Sequence, residues 1–146
     1  MRGGLVRSLV AMELLLVALG SPASAQVDLS TLLVGRWDGE VQMASGTYPR
    51  TLLIRSVEMK SDALVVQAEY GGQGNERGGF VPTIAPVAVA IEAYGSDVTL
   101  RFRTPESWPV ELRLSKDRRH LLGDLRISAD RAGVWAINPM GLAKTG

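Results

Sequence analysis

The sequence predicts an all-β protein, a single antiparallel up-and-down β-barrel of about eight strands. Short runs in which apolar and polar residues alternate recur roughly every 10 to 15 residues, as in sandwiches and barrels. Beyond the N-terminal segment, no comparable stretch repeats with the helical period. Short turns join successive runs without a long crossover. This pattern favours an up-and-down barrel, because closure removes exposed sheet edges.

The barrel prediction depends most on the first run, residues 34–43. Its apolar face is formed by Trp37, Gly39, Val41 and Met43. The intervening residues are charged or polar, as expected for a strand with one buried face. We expect the Trp37 ring to close one end of the barrel. Gly39, on the same face, would leave room for that ring or let the strand bend.

The other seven predicted runs cover residues 50–58, 63–70, 80–94, 98–103, 108–114, 121–127 and 133–144. Residues 50–58 carry apolar side chains on both faces, which indicates either cover on both sides or a β-bulge. The fourth run contains Pro82 and Pro86, so its first half should be an edge, a bulge or a kink. The Asn138-Pro139 pair should likewise kink the last strand. A short helical turn within residues 26–33 would cover the barrel end near Trp37.

The glycine-rich segment 71–79 is the longest break between runs. It lacks the Gly-Lys-Ser/Thr ending of a phosphate-binding loop, and no helical pattern follows it. It is therefore interpreted as a hairpin tip. It is also the first choice for a mobile functional loop at a barrel mouth.

Residues 1–25 have the features of a signal peptide. Arg2 and Arg7 precede an apolar run, and Ala23-Ser24-Ala25 matches the small-residue pattern of a cleavage site. The apolar run is short for a membrane span. We expect cleavage after Ala25, a single domain over residues 26–146, no integral membrane segment after cleavage, and a periplasmic or secreted location.

Composition excludes several functions. Without Arg2, Arg7 and Glu13 the chain has 14 basic and 14 acidic residues, so nucleic acid is not an expected partner. The absence of cysteine excludes disulfides, thiol nucleophiles and cysteine-bound metals. With a single histidine, His120, a zinc site is not expected either.

No catalytic, cofactor-binding or metal site is predicted. A Ser-His-Asp triad is formally available from Ser107 or Ser128 with His120 and Asp124, but no Gly-x-Ser-x-Gly elbow is present. His120 follows two arginines at a turn and is interpreted as a surface residue. Asp38 and Glu40 share a strand face and are two carboxylates at short spacing. Their face is polar, so a solvated charged surface is expected instead.

Three short motifs resemble a known group of proteins. The opening Leu33-Val34-Gly35-Arg36-Trp37-Asp38-Gly39, the later Leu121-Leu122-Gly123 and the final Pro139-Met140-Gly141-Leu142-Ala143-Lys144 resemble a small exported bacterial β-barrel module. That module is also found ahead of secreted hydrolase domains. The Gly-x-Trp opening is similar to the calycins, the lipocalin- and avidin-type barrels. The resemblance implies a calycin-like fold and no established activity.

These observations lead to one main functional hypothesis. The protein is expected to be an exported, non-catalytic barrel without a cofactor, which binds a small apolar or amphipathic ligand or a protein partner. One alternative is a periplasmic hydrolase, or an accessory domain of one. Another is a periplasmic protease inhibitor. The ligand and the role of the glycine-rich loop are left open by the sequence.

Overall fold

A computed structural model describes residues 29–72, 83–128 and 135–146. One short α-helix, α1, covers residues 29–33. It precedes nine strands: β1 (Gly35–Met43), β2 (Gly46–Lys60), β3 (Ala63–Gly72), β4 (Thr83–Val87), β5 (Ala90–Tyr94), β6 (Asp97–Arg103), β7 (Pro109–Leu114), β8 (His120–Ser128) and β9 (Trp135–Lys144). The signal-peptide prediction and most of the glycine-rich segment, residues 73–79, lie outside the described residues.

All nine strands belong to one antiparallel sheet in the order β4-β3-β2-β1-β9-β8-β7-β6-β5. Its two edges, β4 and β5, are separated in the chain only by Ala88 and Val89. A flat sheet of this size would be about 38 Å wide at roughly 4.8 Å per strand. Two residues span far less. The sheet therefore curls until its edges approach each other, which makes the fold barrel-like and confirms the all-β, up-and-down prediction.

The strand count differs from the expected eight because the fourth run is divided. Its first half, β4, pairs with β3, whereas its second half, β5, pairs with β6. Ala88 and Val89 lie between them, outside both ladders. Pro86 lies in the edge strand β4 opposite Glu69, as the edge interpretation predicted. Proline fits there because it has no N–H to donate to a second neighbour.

The predicted bulge in the second strand is present. The register between β2 and β3 shifts between Ile54 and Ser56. The shift lets Leu52, Ile54 and Val57 all reach the core, although strict alternation would separate them. The strand also begins earlier than expected, at Gly46, because Met43 pairs with Gly46 and only two residues form the turn.

One end of the barrel, here named the base, is closed by α1 and Trp37. Trp37 and Leu33 are completely buried. The indole Nε1 of Trp37 donates a hydrogen bond to the Leu33 carbonyl at 2.9 Å. The Lys144 Nζ lies 5.6 Å from the centre of the Trp37 ring and donates to the Leu32 carbonyl at 3.2 Å. The expectation that Trp37 closes one barrel end is thus confirmed.

The opposite end, here named the mouth, contains the β1–β2 and β6–β7 turns. The mouth-side ends of β3, β4, β8 and β9 lie there too, because the strands alternate in direction.

Gly39 is required by a close approach between strands. A Cβ at Gly39 would overlap the carbonyl oxygen of Gly141 on β9. The reason for this glycine therefore differs from the two that were expected, a bend or space for the Trp37 ring: the backbone of β9 comes too close for a side chain.

We predict that Trp37→Ala lowers the free energy of unfolding by about 3–5 kcal/mol, because it leaves a large cavity where the ring is now fully buried. Such a loss should lower the melting temperature by roughly 10 °C or more. Trp108→Ala is the matched control, since Trp108 is only half-buried, and should lower it less. Thermal melts followed by circular dichroism compare the two. A Trp37→Ala protein that melts within a degree or two of wild type would contradict the role given to this ring.

Candidate functional site

Several apolar side chains at the mouth are not fully buried. Inward-facing apolar side chains at the mouth are partly exposed, namely Met43, Tyr48 and Trp108. At the base, Trp37 and Leu121 are fully buried. A ligand at the mouth could contact these three side chains. Ligand sites of barrels commonly lie at such openings.

Tyr70 places a hydroxyl group in the mouth half of the buried core. The side chain is 2% exposed, and its ring centre lies 5.1 Å from that of Phe102. Its hydroxyl is buried, and no described residue accepts a hydrogen bond from it, because its charged neighbour Arg50 can only donate. Leaving such a group unsatisfied costs about 1–3 kcal/mol. The hydroxyl is thus placed to donate a hydrogen bond to a group from outside the barrel.

Arg50 is the charged neighbour of this hydroxyl. It lies opposite Gly39 on β2 and alternates with the buried Leu52, so it belongs to the inward face. Its Nη1 donates to the Pro49 carbonyl at 2.7 Å. Burial raises the pKa of Tyr70 to about 12, and the Arg50 guanidinium opposes this rise without reversing it. At neutral pH the Tyr70 hydroxyl is therefore protonated beside a cation, and both groups are hydrogen-bond donors.

A second concave surface, here named the lateral groove, lies on the outer face of β6, β7 and β8. It has a volume of about 670 Å³ and reaches Ala88, where the chain passes from β4 to β5. Its charged lining residues are Arg101, Arg103, Glu111, Asp124 and Arg126. This volume falls within the range of about 300–1,000 Å³ found for ligand sites.

Two of the groove arginines are held in exposed salt bridges. Arg101 contacts Glu92 and Glu111, each at 2.8 Å. Arg126 contacts Asp124 at 3.1 Å. Exposed pairs of this kind contribute little to stability, so they organise the surface more than they stabilise the fold.

The residues of the formal triad are not brought together. His120 is exposed at the base end of β8, with its Nδ1 3.3 Å from Asp117, as expected for a surface histidine. Ser107 lies in the β6–β7 turn at the mouth. Asp124 lines the lateral groove, where it contacts Arg126. The side chain of Ser128 lies outside the described residues.

Asp38 and Glu40 do not form a pair of facing carboxylates. Asp38 accepts hydrogen bonds from Arg36 at 2.8 Å, from Thr51 at 2.6 Å and from Thr145 at 2.6 Å. It thereby links β1 to β2 and to the segment after β9. Glu40 is exposed. The carboxylate of Asp38 has a structural role, and the expected charged surface is present.

Three further predictions concern metal ligands, a membrane segment and the glycine-rich loop. Within the described residues, no three His, Cys, Asp or Glu side chains are grouped as metal ligands would be. Nor is any described helix both long and apolar enough to pass through a membrane. Gly72 and Thr83 pair at the ends of β3 and β4, so the segment between them begins and ends at the mouth. Residues 73–79 of the glycine-rich loop are themselves outside the described residues.

Comparison with known proteins supports the fold and no more. No protein-family model matches the chain, and none of the curated proteins matches it in sequence. Among solved structures, a de novo designed fluorescence-activating β-barrel is similar, with a TM-score of 0.50 and 10% sequence identity. The likeness covers 81% of this chain and 98% of the designed chain. At this identity it shows a shared barrel-like fold.

Asp38 generates a prediction about acid stability. Burial alone would raise its pKa, but the hydrogen bonds from Arg36, Thr145 and Thr51 outweigh burial and lower the pKa to about 2. In the unfolded chain an aspartate titrates near 3.9. The stabilisation is therefore fully present above about pH 4 and is lost as the pH falls through about 2.

We predict that Asp38→Asn destabilises the protein at pH 7 by about 1 kcal/mol, a value reduced for solvent screening of the exposed Arg36 partner. The difference from wild type should shrink progressively between pH 4 and pH 2. Urea unfolding at several pH values measures both effects. Glu40→Gln is the control, because Glu40 is exposed and forms no salt bridge within the described residues. A deficit of Asp38→Asn that stays constant down to pH 2 would exclude this role of the carboxylate.

Proposed function

We propose that this protein is an exported, non-catalytic binding protein that holds a small amphipathic ligand in the mouth of a calycin-like barrel. The observation that carries the proposal is the Tyr70 hydroxyl, which is buried and whose proton has no acceptor among the described residues. Buried polar groups in folded proteins are nearly always hydrogen-bonded. A ligand that offers an acceptor oxygen would satisfy this one.

The surroundings of Tyr70 define the class of ligand. Both Tyr70 and Arg50 donate hydrogen bonds, so the polar end of the ligand should carry a carbonyl or carboxylate oxygen. The ring of Phe102 and the partly exposed Met43 and Trp108 offer apolar contacts for the rest of the molecule. Apolar surface is removed from water when a hydrocarbon portion packs against them.

The non-catalytic part of the proposal is supported by the separation of His120, Ser107 and Asp124 into three different regions. No specific feature of the described residues favours a hydrolase or a protease inhibitor over ligand binding. The fold likeness to a designed fluorescence-activating barrel is compatible with a small-molecule site.

We predict that Tyr70→Phe separates binding from stability. Without ligand, the variant should melt a few degrees higher than wild type, because it removes an unsatisfied hydroxyl and keeps the ring contact with Phe102. Its affinity for decanoate should fall about tenfold, which corresponds to ~1.4 kcal/mol. Differential scanning calorimetry and isothermal titration calorimetry measure the two effects. Decyltrimethylammonium has a hydrocarbon chain of similar length without an acceptor oxygen, and should not bind.

Tyr48→Phe is the matched control at the mouth, since the Tyr48 hydroxyl is 2.7 Å from the Ser45 hydroxyl and is already satisfied. It should not raise the melting temperature. If Tyr70→Phe instead lowers the melting temperature, the hydroxyl has a partner within the protein. If decanoate binds wild type and Tyr70→Phe equally, or binds neither, the proposed ligand chemistry is wrong.

We also predict that the chain is exported and cleaved. Expression of the full chain in a Gram-negative bacterium should give a periplasmic product that begins at Gln26, because Ala23-Ser24-Ala25 matches a signal-peptidase site. Intact-mass spectrometry of the periplasmic fraction identifies the first residue. A product that keeps Met1 and stays in the cytoplasm or the membrane would overturn the proposed location.

A further inference from the structure

The backbone of Arg103, the last residue of β6, faces away from its neighbour β7. The Thr104 N–H donates to the Trp108 carbonyl at 2.9 Å, so these two residues form the hydrogen-bonded pair at the end of the hairpin. In an antiparallel ladder such pairs alternate with pairs that exchange no hydrogen bonds. The adjacent pair, Arg103 with Pro109, is of the second kind. The N–H and C=O groups of Arg103 therefore point to the other side of β6.

On that other side, β6 has no strand beside Arg103. The ladder between β5 and β6 ends at the pair Ala90 and Arg101. The preceding residues, Ala88 and Val89, belong to neither ladder, and β4 pairs with β3 instead. The backbone donor and acceptor of Arg103 are consequently open at the position where the lateral groove reaches Ala88. An open strand edge of this kind pairs readily with an added strand.

The Arg103 side chain defines the charge of the partner. Its guanidinium donates to the Ser107 carbonyl at 2.8 Å. Unlike Arg101 and Arg126, it forms no salt bridge within the part of the chain that the structure describes. It is exposed on the outer face, on the same residue whose backbone is open. A carboxylate beside it would form a charge-assisted hydrogen bond without first breaking an existing pair.

We propose that the lateral groove is a peptide-binding site, in which an extended segment adds to β6 at Arg103 and places an acidic side chain against the Arg103 guanidinium. Main-chain hydrogen bonds to the Arg103 N–H and C=O supply the alignment, as in other cases of strand addition. The acidic residue lies directly opposite Arg103, because cross-strand partners project to the same face. This surface differs from the ligand site at the mouth, and neither proposal depends on the other.

The test uses a fluorescein-labelled, capped pentapeptide of sequence Thr-Val-Glu-Val-Thr and the purified protein. Fluorescence anisotropy should show saturable binding, and hydrogen exchange of the Arg103 amide, followed by NMR, should slow at least fivefold at saturation. Replacing Glu by Lys in the peptide should weaken binding at least fivefold. Methylating the backbone nitrogen of that Glu should abolish binding, since it removes one of the two hydrogen bonds to Arg103.

Two protein variants complete the experiment. Arg103→Gln should bind the Glu peptide about fivefold more weakly, whereas Arg113→Gln should bind like wild type, because Arg113 is an exposed arginine elsewhere on β7. The proposal is overturned if the peptide fails to bind or to protect the Arg103 amide. Equal affinities for the Glu, Lys and methylated peptides would exclude it as well. Tyr70→Phe should leave peptide binding unchanged; if it abolishes binding, the peptide occupies the mouth and the groove is not its site.

Discussion

The structure depends on the burial of the Trp37 indole next to the end of a helix. A fully buried indole needs an acceptor for its N–H, and the last carbonyls of a helix need donors. Both needs are met at the base, where Trp37 donates to Leu33 and Lys144 donates to Leu32 and, at 3.4 Å, to Thr31. These bonds join α1, β1 and β9, which come from opposite ends of the described chain. β1 also pairs with both β2 and β9, and β9 is the central strand of the sheet.

A second constraint arises where the two edges of the curled sheet, β4 and β5, approach each other. The fourth run pairs with β3 through its first half and with β6 through its second half. The two halves of this run, β4 and β5, therefore form the two edge strands of the sheet. Neither edge is covered along its whole length. The lateral groove and the open backbone of Arg103 result from this change of partner. The opening is a consequence of topology, and the charged residues around it determine what it can bind.

Which face of each strand is buried was predictable, because it depends on the alternation of apolar and polar residues within that strand. Alternation alone placed Trp37 and Val41 in the core, and the apolar residues on both faces of the second run indicated its bulge. Interactions between distant residues were not predictable. Asp38 accepts a hydrogen bond from Thr145, which lies 107 positions later in the sequence. The residues next to Asp38 in the sequence therefore do not distinguish it from a solvated carboxylate. The division of the fourth run depends on which strands lie beside each half, and Pro86 indicates an irregularity without revealing a change of partner. Arg50 continues the inward alternation of Leu52, but its charge suggests an outward residue.

The two ends of the barrel differ in how completely their polar groups are satisfied, and the difference bears on function. At the base, the indole of Trp37 and the ammonium group of Lys144 both have acceptors. At the mouth, the Tyr70 hydroxyl has none among the described residues. A phenylalanine at this position would keep the contact with Phe102 and avoid the cost of burying the hydroxyl, about 1–3 kcal/mol. A domain of this size is commonly stable by only about 5–15 kcal/mol, so that cost is a substantial fraction of the total. A barrel built only to fold gains nothing from this hydroxyl, whereas a barrel that holds a ligand by an acceptor oxygen gains a directional contact in a site from which water is largely excluded.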